Sequence, residues 1–142
     1  MTGSAVKLLL SRRDKKIAWL RSIPGFDALS RAEIRDLAAT ADRTTTPSGR
    51  LLVSQGGPGM ECFVVAQGEL EVTRDGKFVA RIGPGSVVGE IALLDNAVRN
   101  ADVTTLTDVE VAVFDPRSFR RALTSNPRFR EIVERAAELH RV

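Results

Sequence analysis

The chain has 142 residues, of which 43% are hydrophobic and 27% charged, and a formal net charge of +3. That length suits one domain around a single core, and no apolar run approaches the roughly 20 residues needed to cross a bilayer. The only cysteine, Cys62, excludes an intrachain disulfide and a cysteine-based metal site, and the only histidine, His140, builds neither a metal site nor a catalytic triad by itself.

Lys7-Leu8-Leu9-Leu10 is too short an apolar stretch for a signal peptide, and Arg12-Arg13 follow at once, so the protein is expected to be cytoplasmic. Residues 1–22 read as an amphipathic helix, with Val6, Leu9, Leu10, Ile17 and Leu20 near helical spacing and Trp19 on or beside that face. Ile23-Pro24-Gly25 breaks it. Ser30 with Glu33 forms a capping box, which starts a second helix over residues 30–41 on Ile34, Leu37 and Ala38.

Residues 42–114 read as β structure. Short strands are predicted at 44–46, 50–54, 61–67, 69–74, 77–79, 102–106 and 109–114, separated by turn signals rich in Gly, Pro and Asp. Asp75-Gly76 is the clearest of these, because a two-residue hairpin turn needs φ > 0 at both central positions. Cys62, flanked by Phe63-Val64-Val65, reads as a packed strand thiol rather than a nucleophile. Asp115-Pro116 caps a short helix to about residue 124. Ser125-Asn126-Pro127 then restarts a last helix to about residue 139, with Phe129, Ile132, Val133 and Ala136 on one face and His140 at a frayed end.

One segment carries chemistry. Gly89-Glu90 opens the apolar turn Ile91-Ala92-Leu93-Leu94; a polar loop follows, and Arg99-Asn100-Ala101 leads into the next strand. Glu90 and Arg99 stand nine residues apart with a helical turn between them, which suits a small ligand carrying both a sugar and a phosphate. Glu90 accepts hydrogen bonds from sugar hydroxyls, the first N–H groups of the turn face an anion, and the Arg99 fork grips two phosphate oxygens.

The segment resembles the phosphate-binding cassette of cyclic-nucleotide-binding domains, the cAMP and cGMP sensors of kinase regulatory subunits, gated channels and catabolite-activator-type regulators. Gly89, Glu90, Ile91, Ala92, Leu93, Leu94, Arg99, Ala101 and Val103 match the pattern. Val98 replaces the usual Pro and Asn100 the usual Ala, Ser or Thr. The phrase from Ile23 to Ser30 is also similar to the opening segment of these domains.

The resemblance implies an α+β, mainly β fold: an eight-stranded β jelly-roll barrel over about 42–114 with flanking helices, the C-terminal ones at about 116–139. It divides the chain into an N-terminal helix, 1–22, and a cyclic-nucleotide-binding domain, 23–142. It places the ligand on Gly89, Glu90, Ile91, Ala92, Arg99, Asn100 and Ala101, with backbone N–H groups near Ala92 and Asn100 on the phosphate and Ile91 mainly structural. It implies a non-catalytic sensor for cAMP, or else cGMP, with no cofactor, whose C-terminal helices report occupancy to an effector protein, a fused domain or a second copy.

Other readings are weaker. A cupin-type enzyme needs metal-binding histidines, and the β region has none. A DNA-binding regulator needs a reading helix, and only three residues follow Leu139. Gly56-Gly57-Pro58-Gly59 lacks the Gly-Lys-Ser/Thr of a phosphate loop. Basic residues crowd both ends of the chain, which reads as solvated helix faces; the alternative is an interaction module with a degenerate nucleotide site acting through those helices. Neither a bilayer nor DNA is an expected partner.

Overall fold

The computed structural model describes residues 11–141. Helix α1 spans Arg12–Arg21, so the part of the predicted N-terminal helix before Ser11 lies outside the described residues. A 3-10 turn over Phe26–Ala28 follows, then α2, Arg31–Thr40. Eight strands come next: β1 (Asp42–Thr46), β2 (Leu51–Val53), β3 (Cys62–Gln67), β4 (Leu70–Arg74), β5 (Lys77–Ile82), β6 (Val87–Val88), β7 (Asp102–Thr105) and β8 (Val109–Phe114). Helix α3, Glu90–Leu94, interrupts them between β6 and β7, and α4 (Pro116–Ser125) and α5 (Pro127–His140) close the chain. No helix among the described residues is long and apolar enough to cross a membrane.

The strands form two four-stranded antiparallel sheets, β1-β8-β3-β6 and β2-β7-β4-β5, the jelly-roll arrangement the sequence led us to expect. Alternation along β3 and β8 sorts their side chains into two cores. Phe63, Val65, Val109, Val111 and Val113 face the second sheet and meet Val53, Leu70 and Val103. Cys62, Val64, Ala112 and Phe114 point the other way, under the helices. Both faces of β3 are therefore buried, which is why Cys62-Phe63-Val64-Val65-Ala66 reads as an unbroken apolar run. Burial, aided by the nearby negative charge of Glu90, pushes the Cys62 thiol well above its ordinary value, so it is an inert packing group.

The helices are fastened to the first sheet at specific points. Trp19 Nε1 donates to Glu110 Oε1 at 2.8 Å, and Arg43 both pairs with Glu110 at 2.9 Å and lies 4.8 Å over the indole ring. Ser30 and Glu33 make the expected capping box, with bonds of 3.1 and 2.8 Å. Asn126 is fully buried: its Oδ1 accepts from Phe129 N at 3.2 Å and its Nδ2 donates to Glu33 O at 3.0 Å, so the α4–α5 break is tied to the first turn of α2. Phe129 sits at the middle of an aromatic cluster, with ring centroids 6.3 Å from Phe26, 5.1 Å from Phe114 and 6.4 Å from Phe119.

Two details depart from the expectations. Strand β6 is only Val87–Val88, too short to show in a pattern of alternation, and it is recruited by pairing with Phe63 and Val64. Asp75 and Gly76 do take φ of 54° and 76°, as the hairpin requires, but the β4–β5 ladder slips register at Val72/Thr73.

Candidate functional site

The site is built where the chain leaves β6 for α3 and returns to β7. Gly89 caps α3 with φ of 86°, a left-handed conformation that bends the chain out of the sheet. A Cβ there would collide with the Arg99 guanidinium and the Glu61 carbonyl oxygen. Gly89→Ala is accordingly expected to lower stability by about 1–3 kcal/mol and to push Arg99 out of place. Chemical denaturation, together with ligand titration of the folded fraction, checks both effects.

Arg99 is buried, 7% exposed. Its Nη1 donates to Gly89 O at 3.1 Å and its Nη2 to Glu61 O at 2.8 Å, which fixes the plane of the fork; its other N–H donors have no partner among the described residues. Burial lowers its pKa, while the negative charges of Glu61 and Glu90 act in the opposite direction; a guanidinium stays protonated throughout. The backbone of Arg99 is held by the glycine loop: Arg99 N donates to Gly57 O at 2.9 Å and Gly56 N to Arg99 O at 2.8 Å. Gly59 lies so close under Ala92 that a side chain there would collide with its Cβ. The loop that failed as a phosphate loop is a buttress for the cassette.

Glu90 is 1% exposed. Its Oε2 faces His140 Nδ1 at 2.6 Å, and this hydrogen bond, reinforced by the Glu90 charge, raises the His140 pKa against opposing effects of burial and of Arg74. Beside it, Arg141 grips Asp95 with bonds of 2.6 and 3.1 Å, which holds the Asp95 carboxyl below its ordinary range and the Arg141 guanidinium above its own.

Gly89, Glu90, Ile91, Ala92, Arg99, Asn100 and Ala101 all line one cavity of about 150 Å³. Its remaining wall is largely apolar: Val72, Val79, Ala80 and Val103 from the second sheet, and Leu139 from α5. Asn100 is exposed, and its carbonyl accepts from Arg74 Nε at 3.0 Å. Val98, in the position usually held by Pro, is 59% exposed and carries no packing.

Several groups of this site were not found from the sequence. Arg74 also lines the cavity, and Glu61 orients Arg99 through its main chain. His140 is the clearest correction. It is the last residue of α5 rather than part of a frayed end, and it lies against the buried acid of the cassette. No local motif marks it, because the contact spans fifty positions.

A buried acid at the start of α3 and a buried arginine in the loop that follows it thus line one cavity, and comparison with known proteins places the chain. The model of the cyclic nucleotide-binding domain family matches residues 43–126. The chain belongs to that family. It is 37% identical over 92 residues to the cGMP-dependent protein kinase egl-4 of Caenorhabditis elegans, a match covering 65% of this chain and 12% of the kinase. It is 30% identical over 105 residues to the cAMP-dependent protein kinase regulatory subunit of Schizosaccharomyces pombe, covering 73% of this chain and 26% of the subunit. Among solved structures, it resembles a triply substituted regulatory subunit of a cAMP-independent protein kinase A from Trypanosoma brucei bound to cAMP in its A site. That match has a TM-score of 0.76 and 28% identity, and covers 95% of this chain and 49% of the other. This cyclic nucleotide-binding domain thus spans only a fraction of the length of such relatives.

Proposed function

We propose that this domain is a non-catalytic receptor for a cyclic nucleotide, with cAMP the first ligand to test and cGMP the second. The observation that carries the proposal is the pairing of Glu90 and Arg99, both buried, on the wall of one largely apolar cavity. Arg99 receives the phosphate with its remaining donors, joined by the first N–H groups of α3 and the backbone near Asn100. Glu90 accepts from the ribose hydroxyls. The apolar wall from Val72 to Leu139 takes the purine.

In this reading residues 1–22 are an appended helix and 23–142 the receptor domain. Occupancy reaches an effector protein or fused domain through α5, because that helix touches both the cassette and the helical core. The exposed arginines of α4 and α5, Arg117, Arg120, Arg121, Arg128, Arg130 and Arg135, are then solvent-facing charge available to such a partner.

Calorimetric titration with cAMP and with cGMP tests the proposal. Saturable binding of one nucleotide, with thermal stabilisation following its concentration, is the expected result. Absence of heat and of stabilisation with both, in protein freed of nucleotide by unfolding and refolding, overturns it.

A further inference from the structure

The tail of α5 lies on the cassette at two adjacent points. His140 Nδ1 contacts Glu90 Oε2 at 2.6 Å, and Arg141 forks onto Asp95, five residues further along the same turn and loop. Glu90 is 1% exposed at its side chain whereas His140 is 40% exposed, so the imidazole stands between the acid and solvent. Leu139, beside it, lines the cavity while remaining 76% exposed. Glu90 and His140 both line the cavity, so a ribose that reaches the Glu90 carboxylate meets a group already bonded to it.

We propose that the end of α5 is an internal competitor for the nucleotide site: His140 occupies the Glu90 carboxylate until a ribose hydroxyl displaces it, and ligand entry requires the tail to let go. This rests on the reading of the cavity as a nucleotide site. Both groups donate hydrogen to the same buried acid, so each weakens the other's hold on it. If only the released form binds, the apparent affinity is the intrinsic affinity multiplied by the fraction of molecules in that form.

The competitor is sensitive to pH. The groups facing His140 are Glu90 of α3, which raises its pKa through a hydrogen bond and its charge, and Arg74 of β4, which lowers it; the Asp95–Arg141 pair flanks them. A raised folded-state pKa means that the charged contact is fully present below the ordinary histidine value and is lost as pH rises through the raised one. Above that, a neutral imidazole retains at most an ordinary hydrogen bond. Nucleotide affinity therefore rises with pH, and binding expels a proton in the window between the ordinary histidine value and the raised one.

The test is calorimetric titration of the 142-residue chain with cAMP and cGMP at about pH 6 and about pH 8, on the wild type, His140→Ala and His140→Gln. Two buffers of different ionisation enthalpy count the protons exchanged. The partly exposed His140 makes a modest contact, so the expected tightening in His140→Ala is roughly three- to tenfold at the lower pH and smaller at the higher. Proton release disappears in both variants, and the glutamine, a neutral donor, keeps part of the competition without the pH dependence. Wild-type binding that matches His140→Ala in affinity and proton count at both pH values overturns the competitor alone. No binding by any of the three proteins overturns the nucleotide reading, and the competitor with it.

Discussion

Arg99→Ala is expected to weaken cyclic nucleotide binding by about 30- to 1,000-fold, equivalent to roughly 2–4 kcal/mol. The magnitude follows from burial. Arg99 is 7% exposed, so a phosphate paired with it lies in a partly water-free site where the charge is weakly screened. The fork is also already oriented by the carbonyls of Gly89 and Glu61, so little rotamer freedom remains to be lost on binding. The same bonds create a second effect. Truncation leaves two carbonyls without their donor, and a further loss of about 1–3 kcal/mol in folding stability is expected. Arg99→Lys separates the two: it keeps the charge but not the planar fork, so affinity should fall to an intermediate value. Titration of each variant, shown folded by circular dichroism, is the measurement. Wild-type affinity in a folded Arg99→Ala protein would exclude Arg99 as the phosphate ligand.

The cassette was legible from the sequence because its chemistry is local. Gly89, Glu90 and Arg99 lie within one short segment, and a glycine beside an acid at the start of an apolar turn is a pattern that spacing alone can reveal. Most strands were legible for a similar reason: alternation and turn residues are written every few positions. Strand β6 was not, since two residues carry no period and its existence depends on the partner β3. Nor were the groups that complete the site. Gly56, Gly57 and Gly59 support the cassette from another part of the β region, and His140 meets Glu90 from the end of α5. Such contacts are decided by how the sheets and helices pack, and a lone histidine in a polar helical tail has no sequence context that distinguishes it from solvent-facing charge.

The other large effect belongs to the opposite end of α5. Phe129→Ala is expected to destabilise the domain by about 3–5 kcal/mol, lowering the thermal midpoint by roughly 10–15 °C. Phe129 is fully buried and packs against Phe26 of the 3-10 turn, Phe114 of β8 and Phe119 of α4, so its ring joins α5 to three other elements. No neighbour can fill the space without leaving its own contacts, and part of the void therefore persists. Phe129→Leu, which retains more of the volume, should recover much of the loss. Differential scanning calorimetry of the two variants checks the ranking; an alanine variant within about 1 kcal/mol of wild type would mean that the cluster collapses around the gap. The position also bears on function. Helix α5 is anchored at Phe129 in the aromatic core and ends at His140 on the cassette, so one rigid element connects the nucleotide cavity with the helical layer. Loosening the anchor frees the tail as well. In a Phe129→Leu protein that remains folded, the hold of His140 on Glu90 should weaken, and nucleotide affinity near pH 6 should move toward that of His140→Ala.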